Sequence, residues 1–309
     1  MEVVALRLRE RGMLDRALPA RDASDEEIAR VHTPRYLELV KREIGGLDGP
    51  RYLSTGDVVV DASSLAVARR AAGGAIVAIE AAVETGEATF ALVRPPGHHA
   101  ESRRGMGFCL FNNAAIAARA YQARHGGRVL VVDFDYHHGN GTQDVAGEGL
   151  SYVSTHASPA YPGTGSELAT LGRDAIVNVP LPASGIATEG FVAVWERLLR
   201  DVVAYVRPDA IVASAGFDYV AGDPVGDLGV DVGAATALAR AINEAAFDAC
   251  GGRVAYVLEG GYDIDALTAS VEQIVRASDA RASAERAADE AAIPRVVRER
   301  LARVDDLFA

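Results

Sequence analysis

The chain reads as an α/β domain, a parallel sheet flanked by helices with right-handed crossovers between its strands. Three observations carry this. Short apolar runs, such as Val129-Leu130-Val131-Val132, have the continuous apolar character of strands buried on both faces. They alternate with longer Ala-rich or amphipathic stretches of helical period. The 309 residues contain no linker-like segment and no internal repeat, and suffice for one large domain spanning 1–309.

Taken in order, residues 1–18 read as a helix already under way, with Val4, Leu6, Leu8 and Leu14 along it. Ser24 with Glu27 three positions on is a capping box, starting a helix within 25–42. Residues 45–56 form a Gly/Pro loop, and 63–84 an Ala-rich helix in which Gly73-Gly74 marks close packing. A short strand at 88–93 is broken by Arg94-Pro95-Pro96-Gly97 into a loop presenting His98 and His99. A helix at 112–124 precedes the strand at 128–135. Strands follow at 151–155, with a Pro/Gly loop after it, and at 175–179, ending at Pro180. The amphipathic helix at 188–206 carries the only tryptophan, Trp195. The strand at 210–214 exits into AGFDYVAGDP, and the strand at 253–258 into EGGYD. Helices are expected at 231–250 and 263–277, and 278–292 is charged, Ala-rich and expected to be helical without an assigned role.

A net charge of −12 and a pI near 5.1 argue against a dedicated nucleic-acid binder. The two cysteines, Cys109 and Cys250, are too few for a disulfide framework and point to a reducing cytoplasm. No apolar run approaches a membrane span, and the N-terminus lacks a signal-peptide pattern. Oligomeric state stays open.

The stretch VLVVDFDYHHGNGTQD, residues 129–144, organises the rest. In an extended segment Asp133, Asp135 and His137 share a face, where burial is costly without a metal or a tight hydrogen-bond network. Polar groups gather at four strand exits on one sheet edge: His98/His99, Asp135/His137, Asp218 and Tyr262. Asp135, His137 and Asp218 supply the three ligands of an open catalytic zinc site. His98-His99 suits acid–base work near neutral pH, with Asp133 and Asn140 as partners that orient the rings. Tyr262 is placed to donate to an oxyanion. Plainer readings compete. A His-His pair is often structural, and Tyr262 alone suits an ordinary strand end. Phe108 and Tyr161 suit core aromatics, and Cys109 a packed thiol. Asp223 suits a turn, and His138 a hydrogen-bonded support.

The segments RPPGHHA, GFCLFNNAAIAA, VDFDYHHGNGTQ, STHASPAYPGTG, SAGFDYVAGDP and LEGGYD, in this order, resemble the zinc-dependent histone deacetylase family over about residues 25–275. The GNGTQ and EGGY forms look like its class II branch, with bacterial deacetylase-like and acetylpolyamine amidohydrolases. The resemblance implies the arginase/deacetylase fold, a single parallel sheet of about eight strands flanked by helices. It implies zinc on Asp135, His137 and Asp218, and His99 as the main general base and acid beside His98, which pairs with Asp133. It places Asn140 behind the second histidine and Tyr262 at the transition state. Phe108 and Tyr161 match the walls of an acyl-lysine tunnel, and Gly107 its floor. A structural potassium is implied at the 133–137 main chain, with Ser154 near.

Two departures accompany the match. The family begins with a strand and a rim loop ahead of the first helix, whereas this sequence begins within that helix. Acetylpolyamine-specific relatives carry a Glu after the GDP turn, where Val225 stands here, and Asp57 is a candidate rim carboxylate. The leading expectation is hydrolysis of an N-acetyl amide on a lysine peptide or a small amine, with neither nucleic acid nor membrane as a direct partner. A two-manganese ureohydrolase of arginase type and a non-catalytic acyl-lysine binder are the alternatives. The first needs more Asp and His at the exits, and the second the loss of a site residue.

Overall fold

The computed structural model describes residues 2–279 and 288–309. Helix α1 (Glu2–Glu10) leads to α2 (Asp25–Ala29), α3 (Pro34–Ile44), the two-stranded hairpin β1 (Arg51–Tyr52) and β2 (Val59–Val60), and α4 (Ser64–Thr85). Then come β3 (Thr89–Ala91), α5 (Asn113–His125), β4 (Val129–Asp133), α6 (Asn140–Asp144), β5 (Leu150–Ser158), β6 (Leu168–Leu171) and β7 (Asp174–Pro182). The rest is α7 (Thr188–Val206), β8 (Ala210–Ala215), α8 (Ala234–Cys250), β9 (Val254–Leu258), α9 (Ile264–Asp279), a short 3-10 turn at Glu290–Ala292, and α10 (Arg295–Phe308).

The main sheet runs β3-β9-β8-β4-β5-β7-β6, parallel except for the antiparallel β6–β7 pair. Its apolar strands are buried on both faces, and alternate residues serve separate cores. Leu130 and Val132 of β4 pack with α7, α8 and α9 side chains, while Val129 and Val131 pack with those of α4 and α5. Ile211 and Ala213 against Ala210 and Val212 repeat the pattern in β8. A third cluster joins α2, α3 and the hairpin to α4 and α5. Gly73 carries the close contact its doublet suggested: a Cβ there would sit 1.9 Å from the Arg21 carbonyl oxygen.

Several boundaries differ from expectation for local reasons. The first helix stops at Glu10 because Gly12 takes a left-handed φ of 71°. The 25–42 region divides at Thr33-Pro34, where Thr33 caps α3 and Pro34 occupies its first turn. The hairpin strand β1 lies inside the expected 45–56 loop. Strand β7 continues past Pro180 because β6 pairs only as far as Val177, so the missing N–H removes nothing on that side. Seven strands rather than about eight form the sheet among the described residues, and one, β6, is antiparallel, joined to β7 by the short Gly172-containing turn. Most of the expected 278–292 helix falls at 280–287, outside the described residues. Helix α10, not anticipated, buries Val297, Leu301 and Val304 along one face. No helix among the described residues is long and apolar enough to cross a membrane.

Adjacent parallel strands put their exits together. Asp133 ends β4 beside Ser214 of β8 and Ser154 of β5, and β9 lies on the far side of β8. The chain runs from β4 to β5 on one side and later returns to β8 on the other, which opens a crevice at the carboxyl ends.

Candidate active site

Past Asp133 the backbone leaves the sheet and is held by its own carboxylates. Asp135 N donates to Asp133 Oδ1 at 3.2 Å, and His137 N to Asp135 Oδ1 at 2.8 Å. Tyr136 N donates to Asp218 Oδ1 at 2.9 Å, drawing the β8 exit in. Gly260 N, from the β9 exit, donates to Asp135 Oδ2 at 2.8 Å. Only glycine fits this junction: a Cβ on Gly216 would lie 2.0 Å from Asp135 Oδ2, and one on Gly260 2.6 Å from Asp218 Oδ2.

One potential ligand atom from each of Asp135, His137 and Asp218 lies within 4.8 Å of the others, the one such group among the described residues. His137 Nδ1 sits 3.2 Å from Asp135 Oδ1 and 3.0 Å from Asp218 Oδ2. Asp218 Oδ2 is buried and makes no well-aligned hydrogen bond, its 3.0 Å approach to His137 Nδ1 being a charge contact. A buried carboxylate oxygen left so is costly unless a cation takes it. Two carboxylates around one imidazole fit a divalent ion of zinc type. The three groups act strongly on one another's charge. Burial, then the charge of Asp135, lifts Asp218 to about 6. Burial works to lower His137, but the adjoining carboxylates of Asp135 and Asp218 raise it to about 10.

The tandem histidines stand beside this cluster with ring centroids 4.1 Å apart. Asp133 Oδ2 accepts from His98 Nδ1 at 3.1 Å and from the Tyr152 hydroxyl at 3.0 Å. His99 Nδ1 meets Asn140 Oδ1 at 2.8 Å. Their environments push them apart. Burial opposes charge on His98, yet Asp135 and Asp133 outweigh it and hold its pKa well above 6.5. Burial, then the charge of His98, drives His99 well below 6.5 and leaves it neutral.

The cavity above them, about 240 Å³, is lined by these groups with Asp57, Pro96, Gly107, Phe108, Tyr161, Val225 and Tyr262. Phe108 and Tyr161 are 58% and 39% exposed, so they are cavity walls rather than core aromatics. Gly107 and Phe108 both take left-handed backbone, φ 56° and 67°, and a Cβ on Gly107 would strike His99 at 2.3 Å. Such backbone strain in a non-glycine residue concentrates at functional sites. Asp57 ties two walls together, accepting from Gly107 N at 2.8 Å and from the Tyr161 hydroxyl at 3.0 Å. The Tyr262 ring meets Phe108 edge-on at 6.1 Å. Burial, then Asp135 and Asp218, raises its pKa, so the phenol stays a donor.

The structure thus brings together every residue singled out at the four exits, with Asp133 and Asn140 behind the histidines. His138 bonds Thr164 and Gln143 and faces away from the ligand group. Ser154 is buried next to Asp133 and bonds His156. Cys109 is a buried free thiol. Asp223 does make the turn, with Oδ1 accepting from Val225 N and Gly226 N. Its Oδ2 accepts from Tyr262 N at 2.7 Å and Asp263 N at 3.0 Å, so it also anchors the tyrosine. Glu259 went unremarked in sequence. It is buried and accepts from Gly97 N, His98 N and the Ser214 hydroxyl, and burial lifts its pKa to about 7. A Glu directly after the apolar β9 run was the available signal. A larger groove, about 1240 Å³, runs between α7 and α8 and holds none of these residues.

Fold and site together define an α/β protein of the arginase/deacetylase type, with a candidate metal centre at the sheet edge. A family model for the histone deacetylase domain matches residues 1–278, and the chain belongs to that family. It is 36% identical to "Histone deacetylase 15" of Arabidopsis thaliana, covering 84% of this chain and 48% of the relative. It is 38% identical to a "Histone deacetylase-like amidohydrolase" of Pseudomonas aeruginosa (78% and 64%), and 36% identical to the human "Polyamine deacetylase HDAC10" (86% and 42%). The chain therefore spans about two-fifths to two-thirds of these relatives' lengths. The crystal structure of the HDA15 HD domain superposes with a TM-score of 0.85 at 30% identity, covering 99% of this chain and 85% of that one.

Proposed function

We propose that this protein is a zinc-dependent deacetylase that hydrolyses linear N-acetyl amides, acetyl-lysine-type substrates before acetylated polyamines. The observation that carries the reading is one cavity in which the Asp135/His137/Asp218 group, both histidines and Tyr262 converge. Asp135, His137 and Asp218 would hold the zinc. When bound, it would acidify water and polarise the amide carbonyl. Neutral His99, its Nδ1 proton held by Asn140, offers Nε2 to take a proton from the attacking water and pass it to the leaving amine. His98, hydrogen-bonded to Asp133, and the Tyr262 hydroxyl would stabilise the negative charge that develops on the carbonyl oxygen. Phe108 and Tyr161 leave a slot for a linear chain. A potassium ion near Asp133 and Ser154 is a structural companion in this reading. Two buried, unpaired cysteines suit a reducing cytoplasm.

The substrate preference rests on Val225, 45% exposed at the cavity and neutral. It offers a polyamine cation no partner, and Asp57 already accepts two hydrogen bonds. The test is kcat/KM of the zinc-loaded protein on acetyl-lysine peptides and on acetylated polyamines. Higher values on the peptides are expected. A clear preference for the polyamine would overturn the ranking, and turnover of neither would overturn the deacetylase reading. An arginase-type ureohydrolase needs a second set of metal ligands, and one such group is present among the described residues.

A further inference from the structure

We infer that Glu101 is a positioning residue that sets the tautomer of His99 through the side-chain amide of Asn140; this deepens the deacetylase reading and rests on it. A side-chain amide has one accepting and one donating end, and which end faces the histidine decides which ring nitrogen carries the proton. Asn140 Oδ1 faces His99 Nδ1 at 2.8 Å. Asn140 Nδ2 faces acceptors alone: Glu101 Oε1 at 2.8 Å, Met106 Sδ at 3.3 Å and the His99 carbonyl oxygen at 3.4 Å. Glu101 is the charged member of this set, and Arg104 grips its two oxygens from Nε at 2.8 Å and Nη2 at 2.9 Å. A carboxylate accepts and does not donate, so a flipped Asn140 would aim oxygen at oxygen. The amide is held one way, Nδ1 of His99 must be its donor, and Nε2 is left bare on the ring that lines the cavity. A carboxylate in place of Asn140 would accept from His99 unaided. With an amide there, the directing charge stands one residue further back, at Glu101.

Glu101→Gln keeps the length but offers Asn140 either a donor or an acceptor, so the direction is lost. The test uses the zinc-loaded protein with 15N-labelled histidine, the His99 signals being assigned by their loss in His99→Ala. Long-range 1H–15N spectra are expected to show His99 protonated at Nδ1 in the parent and as a mixture of tautomers in Glu101→Gln. In turnover, Glu101→Gln is expected to lower kcat roughly 10-fold with KM little changed. In an Asn140→Asp background no amide needs directing and Glu101 faces a second carboxylate, so the same change is expected to cost nothing or to raise kcat. An unaltered tautomer in Glu101→Gln, or equal losses in both backgrounds, would overturn the inference. The spectra decide it even if acetyl amides prove not to be substrates, so its failure and that of the deacetylase reading are told apart.

Discussion

Tyr262 is where chemistry and binding separate most cleanly. In the proposed reaction its hydroxyl would meet charge that appears only as water adds to the carbonyl, so it should act on the chemical step. Tyr262→Phe keeps the ring against Phe108. It is expected to fold, keep its metal and bind a hydroxamate, while kcat falls roughly 10²–10³-fold; an unchanged kcat would make the tyrosine a wall residue. Gly260 offers a second single-residue test. A Cβ there would press on Asp218 Oδ2 at 2.6 Å and on Asp135 Oδ2 at 2.7 Å. Gly260→Ala is expected to weaken metal binding by roughly 10-fold or more. Elemental analysis after dialysis checks it, and full retention of the ion would show that the junction yields. At this scale the candidate ligand and histidine set was legible because Asp and His gathered within a few residues of the ends of apolar runs. Glu259 and the second role of Asp223 were not, because both act on backbone N–H groups distant in sequence: Gly97 and His98 for one, Tyr262 and Asp263 for the other. No local pattern announces such a bond.

Among elements, the strands β4, β8 and β9 were readable from their continuous apolar runs and the helix α7 from its amphipathic period. The hairpin β1–β2 and the strand β6 were not, since two- to four-residue strands carry too few alternations to register. The start of α5 shows how elements are pinned. His32, fully buried, meets the Glu101 carbonyl through Nδ1 at 3.0 Å and accepts from Asn112 N through Nε2 at 2.9 Å. Burial lowers its pKa to about 4 from 6.5. The folded value lies below the unfolded one, so protonation favours the unfolded chain. The stability tied to neutral His32 is fully present above pH 6.5 and is lost as pH falls through 6.5 toward 4. The shift corresponds to about 3 kcal/mol. Urea denaturation between pH 4 and 7 checks this: His32→Gln is expected to be less stable near neutrality and to show a flatter pH dependence. Parallel curves for the two proteins would contradict the role.

At the scale of the whole molecule, the strand order does the assembling. With β9, β8 and β4 adjacent and parallel, Tyr262, Asp218 and the Asp135–His137 turn must emerge side by side. That convergence was foreseeable from the alternation of strands and helices, whereas the strand order itself was not, because sequence does not say on which side of β4 each new strand joins. Helix α10 closes on α7 and β7, and Arg300 donates from Nε to the Asn178 carbonyl at 2.7 Å. Its amphipathic period was present in the sequence, though unremarked. The central claim is that the group formed by this convergence holds a single catalytic zinc. The direct measurement is zinc titration of metal-stripped protein, following bound metal and acetyl-lysine turnover together. Turnover is expected to rise with zinc and saturate at one ion per chain, and Asp218→Ala is expected to lose metal and activity together. Saturation at two ions, or an Asp218→Ala protein that still turns over substrate, would contradict the account.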